Sequence, residues 1–201
     1  MPAKSLTPIL LRAFQQVGRD LFLQGLNSSH SGNLSITKKE TMWITKKGAP
    51  LGRLGARDIV GVPLNDASSK EAVASSELPV HMEIVLRCGA GGIVHAHPPA
   101  VIAMSMAKEV IVPLDLEGKY HLGEVSVIVS PEPYRPAQVA SQVAEALTKS
   151  KVVVVRGHGT FARGSDLWEA LHWSSALEHS CRIILMSLTL KGRNEKTTTK
   201  A

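Results

Sequence analysis

Strand-like and helix-like segments alternate along almost the whole chain, and that alternation restricts the fold more than any other feature. Thr7-Pro8 reads as an N-cap and first helical residue. The helix it opens runs to about Gly25, with Leu10, Leu11, Phe14, Val17, Leu21 and Phe22 on one face. A polar turn, NSSHSGNLSI, leads into a strand, and TMWITKKG and DIVGVPL are strand-like. Ser75 and Ser76 open a helix over residues 77–88 that GAGG ends. IVHAH is a buried strand, PPAVIAMSMA a helix started by proline, and VIVPLD and VSVIVS are strands. RPAQVASQVAEALTKS is a helix, KVVVVRGHGTFARG a strand that turns, and a long final helix takes Ser165 as its cap. Alternation of this kind predicts an α/β class with a central sheet under helices. At 201 residues, without repeats or a linker, the chain is expected to form one domain over residues 1–190, followed by a basic, disordered tail over 191–201.

Charge and composition narrow the function. With 44% hydrophobic and 20% charged residues the chain has the make-up of a soluble globular protein. Cys88 and Cys181 are too few for a disulfide framework and form no zinc knuckle, which fits a cytoplasmic location. The first residues turn amphipathic without an apolar signal core, and no run approaches a membrane span. The net charge of +6 gathers partly in the tail and partly in ITKKE and ITKKGAP. Only 4% of residues are aromatic and no recognition motif is present, so no nucleic-acid partner is expected; a small anionic substrate accounts for the lysines.

The chemistry concentrates in a few short motifs. His95 and His97 sit two apart at the end of a strand, so both imidazoles project to one face. His158 ends a second apolar run between Gly157 and Gly159, which allow a tight bend. If the two strands share a sheet, three neutral nitrogens meet at one edge, the pattern of a catalytic zinc or another divalent ion. A structural pair of histidines is the plainer alternative for His-x-His alone. Glu77, beside Ser75 and Ser76, is either a first-turn acid favoured by the helix dipole or a general base next to the metal. His81, one turn on, orients that carboxylate or packs. The serine pair at a helix start, Gly32 and Asn33 in HSGNLS, and Lys47 and Gly48 in TKKG are three donor-rich turns suited to a phosphate. His30 and His121 lie in loops, and His172 and His179 read as packed or solvated residues of the last helix.

In order and spacing, SGN, ITKKG, SSELPVH, HAHPP and RGHG resemble the class II aldolase and adducin-head family, most of all its L-fuculose-phosphate aldolase branch. The likeness spans about residues 8–190 and implies a three-layer α/β/α fold with a central mixed sheet. It implies that His95, His97 and His158 bind zinc, that Glu77 is the acid/base residue, and that Asn33, Gly48, Ser75 and Ser76 hold the substrate phosphate. It further implies a homotetramer with sites at subunit interfaces. The implied reaction cleaves a ketose 1-phosphate to an aldehyde and dihydroxyacetone phosphate through an enediolate stabilised by the metal. The same scaffold also carries pentulose-phosphate 4-epimerases, sugar-acid phosphate decarboxylases, a methylthioribulose-phosphate dehydratase and non-enzymatic adducin heads. Epimerases carry aspartate where this chain has Glu77, and adducin heads lack the full histidine set. Three departures bear on the sugar. Lys47 replaces the family's Thr or Ser before Gly48. The proton-donating tyrosine of a neighbouring subunit maps to PLDLEGKYHLGEV, where Glu117, Tyr120 and His121 are candidates. The tail holds no tyrosine.

Overall fold

In a computed structural model, residues 6–198 are described, with side chains through residue 190. Eight strands form one sheet: β1 (Asn33–Lys38), β2 (Thr41–Thr45), β3 (Ile59–Pro63), β4 (Gly92–Ala96), β5 (Val110–Ile111), β6 (Val125–Ile128), β7 (Val152–Val155) and β8 (Gly159–Gly164). Their spatial order is β3-β2-β1-β4-β8-β7-β6-β5. Only β6 and β7 pair in parallel; every other pair is antiparallel, so the sheet is mixed, as expected.

The central strands β7, which is VVVV, and β4, apolar but for His95, are buried along their whole length because helices cover both faces. Val152 and Val154 join one core with Val94, Ala96 and Ala162, beneath α1 (Pro8–Leu23), α3 (Pro99–Ala107) and α6 (Leu167–Thr198). Val153 and Val155 point the other way and join Ile93 and Phe161 under α2 (Leu78–Cys88) and α5 (Pro136–Lys149). One residue of register decides which core a side chain enters, and the layers are α/β/α.

Local chemistry sets the helix ends, with some differences from expectation. Thr7 caps α1 through Oγ1, which accepts the Leu10 N–H. At α2 the serines precede the cap position, which Glu77 itself occupies; Ser75 Oγ accepts the Glu77 N–H at 3.2 Å. Asp166, rather than Ser165, caps α6: its Oδ1 accepts the Glu169 N–H at 2.9 Å, while Ser165 donates back to Glu169. Of VIVPLD only Val110–Ile111 is a strand. Pro113 breaks it, and Asp115 then caps a short helix, α4 (Leu116–His121), by accepting the Gly118 N–H. The segment expected as a tail from residue 191 overlaps the end of α6, and residues 199–201 lie outside the described residues. No described helix is long and apolar enough to cross a membrane.

Candidate functional site

Strand pairing brings the histidines to one sheet edge. β4 runs antiparallel to β8, with Ala96 opposite Thr160, so the end of β4 lies beside the start of β8. β7 reaches β8 through a turn at residues 156–158, closed by the His158 N–H donating to the Val155 carbonyl. Gly157 holds φ +67°, a left-handed conformation glycine adopts without strain. At Gly159 a Cβ would collide with the Ala96 carbonyl oxygen and crowd the His97 ring. The two glycines that bracket His158 therefore permit the turn and the close approach.

The result is a converged triad. His95 Nε2 lies 3.0 Å from His97 Nε2 and 3.0 Å from His158 Nε2. The three ligand atoms all fall within 4.8 Å of one another. Nitrogens bound to one tetrahedral zinc at ~2.0–2.1 Å lie about 3.3 Å apart, so the spacing suits a divalent ion. The Thr160 carbonyl, which can only accept, receives a 2.9 Å hydrogen bond from His95 Nδ1–H, which keeps the proton on Nδ1 and leaves the Nε2 lone pair free to ligate. Burial, then the neighbouring imidazoles, holds His95 well below the usual histidine range. Burial lowers His97 as well, and burial with His97 lowers His158 to about 4. All three are thus neutral near pH 7, the form that binds metal. The main-chain N–H of His97 donates to Asn27 Oδ1 at 2.8 Å and fixes the segment. Glu178, buried, accepts the Ala100 and Val101 N–H groups just beyond it.

Glu77 stands next to the triad. It is buried, with Oε1 3.6 Å from His158 Nε2. Its Oε2 accepts a 3.0 Å hydrogen bond from Tyr134 Oη. Burial raises the carboxyl to about 7, with the Tyr134 bond acting in the opposite direction. Burial, then the Glu77 carboxylate, pushes the Tyr134 phenol above its ordinary value. The Tyr134 ring stacks on His158 with centroids 4.2 Å apart. Tyr134 belongs to none of the sequence motifs named above. A signal is nonetheless present: the chain has two tyrosines, and this one sits in PEPYRP, directly after an apolar strand.

The expected phosphate turns line one pocket of about 190 Å3 together with the triad: Gly32, Asn33, Lys47, Gly48, Ser75, Ser76 and Glu77, joined by His30, Ser31 and Lys46. Two pairings gather these distant motifs. Asn33 is opposite His95 in the β1–β4 ladder. Lys46 bridges to Ala74, and the Ser75 N–H donates to the Thr45 carbonyl, which holds the TKKG turn against the serine pair. His81 does not touch Glu77's carboxylate; its Nδ1 pairs with Ser35 Oγ at 2.7 Å, and the ring is fully buried edge-on to Phe161. Glu117, Tyr120 and His121 lie on α4, outside the lining of this pocket, with Tyr120 85% exposed.

The sequence profile described as the Class II Aldolase and Adducin N-terminal domain matches residues 12–185. The crystal structure of an L-fuculose-1-phosphate aldolase from Thermus thermophilus is 39% identical, with a TM-score of 0.84 over 90% of this chain and 95% of that one. A probable bifunctional methylthioribose-1-phosphate isomerase/methylthioribulose-1-phosphate dehydratase from Nocardia farcinica is 28% identical over 83% of this chain, which spans only 34% of that protein. A 3-oxo-tetronate 4-phosphate decarboxylase from Haemophilus influenzae is also 28% identical, over 89% of this chain and 86% of its own length.

Proposed function

Because the chain belongs to the class II aldolase and adducin N-terminal domain family, we propose that it is a zinc-dependent aldolase. It would reversibly cleave a ketose 1-phosphate to dihydroxyacetone phosphate and an aldehyde. The observation that carries this reading is the convergence of three neutral imidazoles beside a buried carboxyl poised near 7, at the wall of a pocket rich in phosphate donors.

His95, His97 and His158 would hold the ion, which supplies a Lewis acid for the carbonyl and adjacent hydroxyl oxygens. Asn33, Gly48, Ser75 and Ser76 would bind the phosphate through side-chain and main-chain donors. Gly32 would shape the turn, and Lys47 would add a point charge. A base takes the C4 hydroxyl proton, the C3–C4 bond breaks, and its electrons pass into the enediolate of dihydroxyacetone phosphate as the aldehyde leaves. Glu77 would then give its proton to C3, and in the condensing direction would remove it. A carboxyl near 7 can do both at neutral pH. Glu117, Tyr120 or His121, reaching in from a neighbouring subunit, would serve as the partner acid. The same proposal includes a cytoplasmic homotetramer with sites at subunit interfaces and a single catalytic domain over residues 1–190, with a basic tail after it.

The dehydratase and decarboxylase named among the relatives are as similar in sequence as each other, so both reactions belong in the test. Zinc-loaded protein is incubated with a panel of ketose phosphates, sugar-acid phosphates and methylthioribulose 1-phosphate, and the products are separated. Release of dihydroxyacetone phosphate and an aldehyde supports the aldolase. An epimer, carbon dioxide or a dehydrated ketone as sole product replaces it with the corresponding activity.

A further inference from the structure

His158 is a wall shared by two cavities. Besides the pocket of the serine and lysine turns, His158 lines a larger one, about 570 Å3, with Met106, Val129, Ser130, Tyr134, Arg156 and the Pro131–Pro133 loop. Its position follows from the one parallel pairing in the sheet. Ile128 is opposite Val155 in β6 and β7, so the chain leaving each strand departs from the same edge. One exit carries Tyr134, and the other carries Arg156 and His158.

Arg156 is unusual on this wall. It is half-buried, yet it takes part in no ion pair among the described residues. Its one side-chain hydrogen bond is a long 3.4 Å contact from a terminal amino group to the Lys108 carbonyl. Its Nε is buried without a partner. Glu132 also lines the cavity but does not pair with the guanidinium. A guanidinium has five donors and keeps its charge at any relevant pH. A half-buried guanidinium with one weak protein partner keeps most of its donors available to an anion in the cavity. A neutral polyol would leave that charge uncompensated, whereas a carboxylate matches the planar fork with two parallel bonds.

We propose that this cavity receives the unphosphorylated end of the substrate, and that Arg156 reads a carboxylate there. The inference rests on the phosphate pocket and the histidine centre proposed above. It narrows the substrate class from sugar phosphates in general to phosphorylated sugar acids. In the condensing direction the matching partner of dihydroxyacetone phosphate is an aldehyde acid rather than a neutral aldehyde. Arg156 is then a specificity residue two positions from a metal-binding imidazole, set by the same turn.

Binding, rather than turnover, tests this without assuming the reaction. Titration calorimetry on zinc-loaded protein compares phosphorylated aldonates of four to six carbons with the alditol phosphates of equal length. For at least one length the wild-type protein should bind the acid at least tenfold more tightly. In Arg156→Gln that ratio should fall to near one, and Arg156→Lys should retain part of it. Zinc content and thermal melting of each variant establish that fold and centre are intact. Alditol phosphates that bind as well as the acids in the wild-type protein overturn the inference alone. So does an acid preference that survives in Arg156→Gln, since the carboxylate then sits elsewhere. Failure of every phosphorylated probe to bind overturns the phosphate reading on which the inference stands.

Discussion

In one cavity lined by His158 the wall is built from turn and strand-end residues, Asn33, Lys46, Lys47, Gly48, Ser75 and Ser76, pinned by β1–β4 pairing and the Lys46–Ala74 bridge. In the other the wall is mostly the loops that follow β6 and β7, from which Tyr134 and Arg156 project, with Met106 of α3. A phosphate is the same group in every substrate, and fixed donors at helix and turn ends recognise it at low entropic cost. The remainder of the substrate differs between reactions. Long side chains on loops can change identity without disturbing the sheet. On the proposed reading the two cavities, which share His158, would divide the labour between common anchoring and individual specificity.

The largest effect should come from that centre. His95→Ala, or removal of the ion by a chelator, should lower turnover about a thousandfold or more, equivalent to several kcal/mol of lost charge stabilisation. Metal analysis alongside rates checks this, and full activity in metal-free protein would break the account on both sides of His158. Next, Ser75→Ala with Ser76→Ala should act only on the phosphate side. Each lost charge-assisted hydrogen bond should cost about 1.5–3 kcal/mol, seen as a raised KM for a phosphorylated ketose and little change for the unphosphorylated sugar. Equal effects on both would reduce the serines to a structural role at the start of α2.

The smallest effect concerns the contact that joins the two sides. Tyr134→Phe removes the O–H that favours ionised Glu77. The Glu77 carboxyl, already raised to about 7, should rise further. In the condensing direction Glu77 acts as a base and works when ionised, so that rate climbs as pH rises through its pKa, and in the variant the limb should move to higher pH. At pH 7 the loss should be on the order of 0.5–1.5 kcal/mol. A pH–rate profile with an unmoved acid limb would show that Tyr134 does not tune the carboxyl.

How much of this was legible in the sequence follows the same division. His-x-His at a strand end, glycines around His158 and the serine-glutamate turn are short-range patterns, and each imposes its geometry within a few residues. The alternation of strand-like and helix-like runs likewise announced an α/β class with a sheet under helices, and the family resemblance supplied the three layers. Tyr134 and Arg156 could not be placed this way. Their meeting depends on the parallel register of β6 against β7, which links residues more than twenty apart and leaves no local signature. The α4 helix was hidden for a related reason: VIVPLD is apolar enough for a strand, but Pro113 and the Asp115 cap turn the chain into a helix. Ser165 and Asp166 are adjacent residues that both suit an N-cap; in the fold Asp166 takes the Glu169 N–H while Ser165 bonds the Glu169 carboxylate.

The central claim is that Glu77, beside the ion held by the three histidines, moves a proton at carbon. Dihydroxyacetone phosphate alone, in deuterated water and without any aldehyde, isolates that step from the identity of the sugar. Zinc-loaded wild-type protein should exchange one C3 proton stereospecifically, as read by proton NMR. Glu77→Gln that retains its zinc should exchange at least about a hundredfold more slowly. Exchange at the wild-type rate in that variant would contradict the account and move the role to another residue.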